Sequence, residues 1–212
     1  VLFFDRQWLL EVLFAKVQHK ERILLNKKVA KIEHVQNGVR VDTADGSSFK
    51  GTMVLGVDGI YSTVRQSMIE LGNRVKPGYF PRGESDRVPC HIQCSFGMAQ
   101  NVPNYPPGEM NTSRGKGCSQ LIVPGANGKV YWFVFVRLPE VRYGKNIPRY
   151  TKEDELAFAK MHADMPVTDK VSFGDVFSRR ISSALTPIHE VVFQKWFFQR
   201  ILIFGDAVHK VG

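Results

Sequence analysis

No apolar run in this chain of 212 residues approaches the roughly 20 that a membrane-spanning helix requires, so no such helix is expected. Cysteine is scarce. There are three, Cys90, Cys94 and Cys118, and an odd number in a chain of this size argues against a disulfide framework. Cys90 and Cys94 flank His91, but no second ligand pair at zinc spacing accompanies them. Residues four apart on a strand share a face, so both thiols are expected to pack as small hydrophobes. Charge of one sign is in excess without being concentrated. Lys and Arg number 29 against 20 Asp and Glu, a net +9, scattered through stretches such as "NKKVAK", "SRRIS" and "KWFFQR". That excess favours anionic partners. With no basic block and no signature of a nucleic-acid module, it points to a phosphate-bearing ligand and away from nucleic acid. Internal repeats and low-complexity tracts are missing too. The opening "VLFFDRQ" lacks an initiator Met and also lacks the basic leader and cleavage site of a signal peptide.

What remains, 43% apolar and 23% charged residues, is the composition of a soluble globular protein with enough chain for a sizeable core. Residues 5–18 predict a helix with Asp5 as N-cap and Leu10, Leu13, Phe14 and Val17 on one buried face. Arg6 then sits in the first turn, where the helix dipole disfavours a cation. A nearby anion would resolve that conflict, and so would plain solvation. Residues 23–57 predict strands joined by tight turns at Asn37-Gly38 and Asp45-Gly46. The last of these strands, Met53 to Val57, is apolar throughout, as in a strand buried on both faces. It runs into Asp58-Gly59, and Ser62 is placed to cap the helix that follows.

Beyond residue 72 the texture changes to Pro/Gly-rich loops separating strands at Cys90–Met98, Ser119–Val123 and Lys129–Leu138. Thr151 and Asp154 predict a capping box opening a helix to about Ala163. Alternation in "VYWFVFV" sends Tyr131, Phe133 and Phe135 to one face and Trp132, Val134 and Val136 to the other. Both faces are apolar. Either the protein covers both, or one lines a pocket for a bulky apolar molecule. The chain closes on "ILIFGDAVHKVG", a second apolar strand ending in a glycine and an acid, Gly205-Asp206. Acids at the carboxyl ends of strands lie where α/β sheets bind ligands.

Three stretches together resemble the FAD-dependent monooxygenases of the p-hydroxybenzoate hydroxylase family. "MVLGVDGIYSTVR" resembles its Asp-Gly motif at Asp58, Gly59, Ser62 and Arg65; "ILIFGDAVH" resembles its Gly-Asp motif at Gly205, Asp206, Ala207 and His209; "FFDRQWLLEVL" resembles the helix bearing a flavin-phosphate arginine, at Arg6. The texture of these stretches is closest to the fungal enzymes of terpenoid and meroterpenoid biosynthesis. The resemblance implies an α/β fold: a partial FAD-binding layer, residues 1–70 and 187–212, with an inserted, mostly antiparallel substrate-binding sheet, residues 71–186. It implies FAD and NAD(P)H as cofactors, O2 and a small apolar molecule as partners, and Arg6, Asp58, Gly205 and Asp206 at the cofactor. It assigns no catalytic side chain and no metal, because the cofactor carries the chemistry, and it leaves the compartment open between cytoplasm and membrane surface. Arg65 is expected to anchor its loop rather than touch ligand. The sequence departs from the family in having no G-x-G-x-x-G unit to receive the pyrophosphate; Gly115-Lys116-Gly117 precedes a strand, not a helix. The chain is therefore expected to be an internal piece of a longer flavoenzyme that binds FAD weakly or not at all by itself. Ring hydroxylation of a phenol and an inactive truncated remnant stand as the alternatives.

Overall fold

The computed structural model describes residues 3–210. In chain order the elements are α1 (Arg6–Lys16), β1 (Val29–Val35), β2 (Gly38–Thr43), β3 (Ser48–Gly51), β4 (Val54–Gly56), α2 (Thr63–Val75), β5 (Pro89–Gln100), β6 (Asn111–Gly115), β7 (Cys118–Pro124) and β8 (Lys129–Tyr143). Then follow α3 (Lys152–Met161), α4 (Phe173–Ser178), β9 (Arg180–His189), β10 (Val191–Val192), β11 (Phe197–Phe198), β12 (Ile201–Ile203) and β13 (His209–Lys210). Two compact units result. The first takes the chain up to Gln18, Cys90–Arg142 and Asn146–Ile188; the second takes His19–Pro89, Tyr143–Lys145 and the chain from His189 onward.

The first unit is organised by a five-stranded sheet in the order β6-β7-β8-β5-β9. β7 pairs antiparallel with both β6 and β8. On β8 the alternation separates the faces as the sequence predicts. Val130, Trp132 and Val134 are buried and pack with Phe158 of α3 and with Phe173, Val176 and Phe177. The Trp132 ring stands edge-on to Phe173 and Phe177, and its indole N–H donates to Ser95 Oγ at 3.2 Å, the partner a buried indole requires. Tyr131, Phe133 and Phe135 on the opposite face are only half-buried. Leu121 lies opposite Phe133 and Val123 opposite Tyr131, which extends this face across β7.

Thr151 and Asp154 form the predicted capping box on α3, and Ser172 and Asp175 form a second one on α4. That second Ser-x-x-Asp signal also stands in the sequence, inside a stretch that reads only as short strands. β6 was equally hidden, in a segment whose Pro and Gly residues read as loop.

Cys90 and Cys94 are buried in this unit, and Cys94 donates to the carbonyl of Ser95. Burial pushes the Cys94 thiol up to about 12. Since the thiolate is the reactive form, alkylation of the native protein at pH 8 is expected to leave Cys94 unmodified. Labelling of Cys94 as fast as in denaturant would contradict that packing.

Helix α1 forms where expected, but the expected burial of its apolar face does not. Leu10, Leu13 and Phe14 remain about half exposed, and no α1 residue is buried. Periodicity states which side chains share a face; it does not supply the surface that covers them. Asp5 is the N-cap by backbone position, yet its carboxylate makes no capping hydrogen bond, being held by other partners described below.

In the second unit β1, β2 and β3 form an antiparallel meander. The first turn lies one residue earlier than predicted: Asn37 takes the left-handed conformation at φ 64°, and Gly38 already pairs with Val35. A second sheet has the order β11-β12-β4, with β12 parallel to β4 and Ile203 beside Gly56. Its inner face buries Ile201 and Ile203 against Val64, Met68 and Leu71 of α2, together with Phe80 and Phe198. The expectation that β4 is buried on both faces is corrected: Met53, Leu55 and Val57 are 52%, 55% and 73% exposed. One face meets α2, and no described element of the unit covers the other.

Candidate functional site

Because β4 and β12 are parallel neighbours, their carboxyl ends lie side by side, and Phe204 N donates to Gly56 O at 2.8 Å. The two acid-glycine pairs of the sequence are therefore brought together at one edge of the sheet. Gly59 and Gly205 hold positive φ angles of 81° and 56°, conformations that side chains with a Cβ rarely adopt. No atom would crowd a Cβ at either position. Backbone conformation alone accounts for these glycines.

The two carboxylates are used differently. Asp58 is engaged by the chain itself: one oxygen accepts from Ser62 Oγ at 2.5 Å and the other from Val64 N at 3.1 Å. Ser62, fully buried, accepts in turn from Arg65 N at 2.9 Å, so the pair closes the N-terminus of α2. Asp206 sits in the single turn Gly205–Ala207, with its side chain 55% exposed and one contact at 3.3 Å to Lys210 Nζ. An ionised carboxylate offers only acceptor sites. Asp206 is thus the acid at this edge with acceptor capacity to spare.

Arg65 joins the two loops. It is buried, with one guanidinium nitrogen donating to Ala207 O at 2.6 Å and another to Ile60 O at 2.5 Å, and it lies 4.2 Å from the centre of the Phe193 ring. Burial pulls its pKa down, with Asp58 and Glu84 opposing, but a guanidinium starts so high that it stays charged. The sequence identifies Arg65 as an anchor; its partner Ala207, 142 positions away, is visible only in three dimensions. Tyr61 and His189 form another contact that no motif announces. Their rings meet edge-on at 5.6 Å, with the Tyr61 hydroxyl 3.5 Å from Nε2 of the buried His189. His209 is exposed and stacks on Trp196.

Arg6, the remaining predicted site residue, belongs to the first unit, where it opens α1 with its side chain exposed. Among the described residues it has no ion-pair partner.

The engagement of Asp58 has a measurable consequence. Asp58→Ala removes a side-chain cap and is expected to cost about 1–2 kcal/mol of unfolding free energy. Urea denaturation read by circular dichroism measures it, and an unchanged midpoint would show that Asp58 is not a structural acid.

No protein-family model matches the chain. Over 211 residues it is 31% identical to the FAD-dependent monooxygenase ausM of Penicillium brasilianum, a match covering all of this chain and 44% of that protein. Over 208 residues it is 37% identical to the FAD-dependent monooxygenase cdmI of Talaromyces verruculosus, covering 98% and 43%. The chain thus spans somewhat less than half the length of these relatives. Among solved structures, Klebsiella pneumoniae HpxO complexed with FAD and uric acid superposes with a TM-score of 0.65 at 19% identity, over 97% of this chain and 48% of that one. At that identity the likeness establishes the fold: mixed α/β with an inserted, mostly antiparallel sheet.

Proposed function

Since the chain belongs to the fungal FAD-dependent monooxygenase family, we propose that it forms part of an enzyme that uses FAD and NAD(P)H to insert one oxygen atom of O2 into a bulky, largely apolar molecule. The observation that carries this reading is the under-used Asp206 carboxylate at the end of β12. The donor chemistry fits the cofactor: an acceptor-only group suits the ribityl hydroxyls, and an exposed guanidinium at Arg6 suits a phosphate. When bound, FAD supplies the redox chemistry.

The chain's own residues bind and orient. Asp206 would hold ribityl hydroxyls of the cofactor as an acceptor, and Arg6 would hold a phosphate. Asp58 and Gly59 shape the neighbouring loop, which Arg65 ties to the Gly205–Ala207 turn. Substrate meets the half-buried sheet face of Tyr131, Phe133, Phe135 and Leu121. The Phe133 and Phe135 rings lie parallel there, 12° apart in plane with centroids 6.5 Å apart. Apolar walls with few polar groups are typical of small-molecule pockets. No Lys or Arg interrupts residues 130–136 to hold a substrate carboxylate. Epoxidation of an alkene and hydroxylation of a phenol make the same demands of such a face.

The test is NAD(P)H oxidation by the flavin-loaded, full-length enzyme. A prenylated aromatic or a polycyclic terpenoid is expected to stimulate it more than a small benzoate does. Stimulation by 4-hydroxybenzoate alone, with no response to prenylated compounds, would overturn the substrate class.

A further inference from the structure

At the start of α1, an acid that ought to serve the helix serves the sheet instead. Asp5 precedes Arg6 and has extended N-cap backbone angles of −65° and 130°, yet its side chain makes no capping hydrogen bond. One carboxylate oxygen accepts from Lys129 Nζ and the other from the Tyr131 hydroxyl. The Asp5 and Lys129 side chains are only 13% and 18% exposed, and the Lys129 ammonium also lies 5.3 Å from the centre of the Trp8 ring. The Lys129 hydrogen bond, followed by that of Tyr131, holds the Asp5 carboxyl below the usual carboxylate range. Burial and then Asp5 raise the Tyr131 phenol to about 12, so the hydroxyl remains a donor.

Without these partners the Asp5 carboxylate has two obvious uses. It would cap the N-terminal N–H groups of α1, or pair with the adjacent, exposed guanidinium of Arg6. Either use places a fixed negative charge where an incoming phosphate would have to sit.

We infer that Lys129 and Tyr131 sequester the Asp5 carboxylate and so leave Arg6 free to take a phosphate-bearing ligand. The inference rests on the flavin reading above and adds to it three positioning residues, Asp5, Lys129 and Tyr131, which act through Arg6. A simple tether from α1 to the sheet involves the same contacts but makes a different prediction. If Asp5 is only a tether, removing either end of the contact is harmful, and removing both is no better. If Asp5 is a sequestered competitor, removing Lys129 is harmful only while Asp5 remains charged.

The experiment titrates inorganic pyrophosphate into the flavin-free full-length protein at low ionic strength, following the Arg6 Nε–H resonance by NMR. Lys129→Met is expected to weaken the dissociation constant at least fivefold. Adding Asp5→Asn to Lys129→Met is expected to restore it to within about twofold of wild type, and Asp5→Asn alone is expected to change it little. Lys129→Gln, which keeps a polar head, repeats the measurement should Lys129→Met lower the melting temperature. Wild-type affinity in both single variants at position 129 overturns the inference, as does a double variant no better than Lys129→Met. An Arg6 resonance unmoved by pyrophosphate in the wild type overturns it too. The flavin reading fails on a different result, a full-length protein that retains no FAD.

Discussion

Asp206→Ala, made in the flavin-loaded protein, is expected to weaken FAD retention roughly ten- to hundredfold, equivalent to about 1.5–3 kcal/mol. Asp206 is half exposed and, among the described residues, its one ion pair is with Lys210, so the fold leaves acceptor sites unused. Hydrogen bonds from ligand hydroxyls to an ionised acceptor are stronger than neutral ones, and truncation removes them without leaving a buried group unpaired in the apoprotein. Asp206→Ala is therefore expected to leave unfolding free energy within about 0.5 kcal/mol of wild type, as for other exposed sites. Asp58→Ala is expected to show the opposite pattern, because its oxygens are bound by Ser62 Oγ and Val64 N. Equal FAD affinities in the two variants, measured by flavin fluorescence on titration of apoprotein, would contradict the division of labour between the two acids.

Arg65→Met is expected to be the most damaging single change at the site, lowering unfolding free energy by about 3 kcal/mol. Two carbonyls, Ala207 O and Ile60 O, lose their donor, at about 1–3 kcal/mol for each polar group left unsatisfied by burial. The guanidinium's contact with the Phe193 ring goes as well. Arg65→Lys keeps the charge and one donor but not the fork, so it should fall between the two. Urea denaturation measures all three proteins. A methionine variant within 1 kcal/mol of wild type would mean that the link between the two loops contributes little.

The parts of this fold that were legible in the sequence are those written in local chemistry. The Ser62 cap and the Thr151–Asp154 capping box follow from short-range hydrogen bonding, and the two faces of β8 follow from alternation. The acid-glycine pairs at Asp58 and Asp206 were legible as strand ends, and their place at a cofactor is what the family resemblance implies. What stayed hidden was long-range. Nothing in "STVR" tells that Arg65 reaches Ala207, and nothing in "FFDRQ" tells that Lys129 and Tyr131 take the Asp5 carboxylate from its helix. The burial predicted for α1 and for both faces of β4 failed for a related reason. An apolar pattern expresses a demand for a covering surface without saying what meets it, and among the described residues these faces stay exposed.

The most direct test of the central proposal is turnover of the full-length, flavin-loaded protein with NAD(P)H under heavy-isotope oxygen gas, with a prenylated aromatic as substrate and the product read by mass spectrometry. The account predicts a yellow protein and a product carrying one heavy oxygen atom per molecule. A colourless protein, or a product whose new oxygen comes from water, would contradict it.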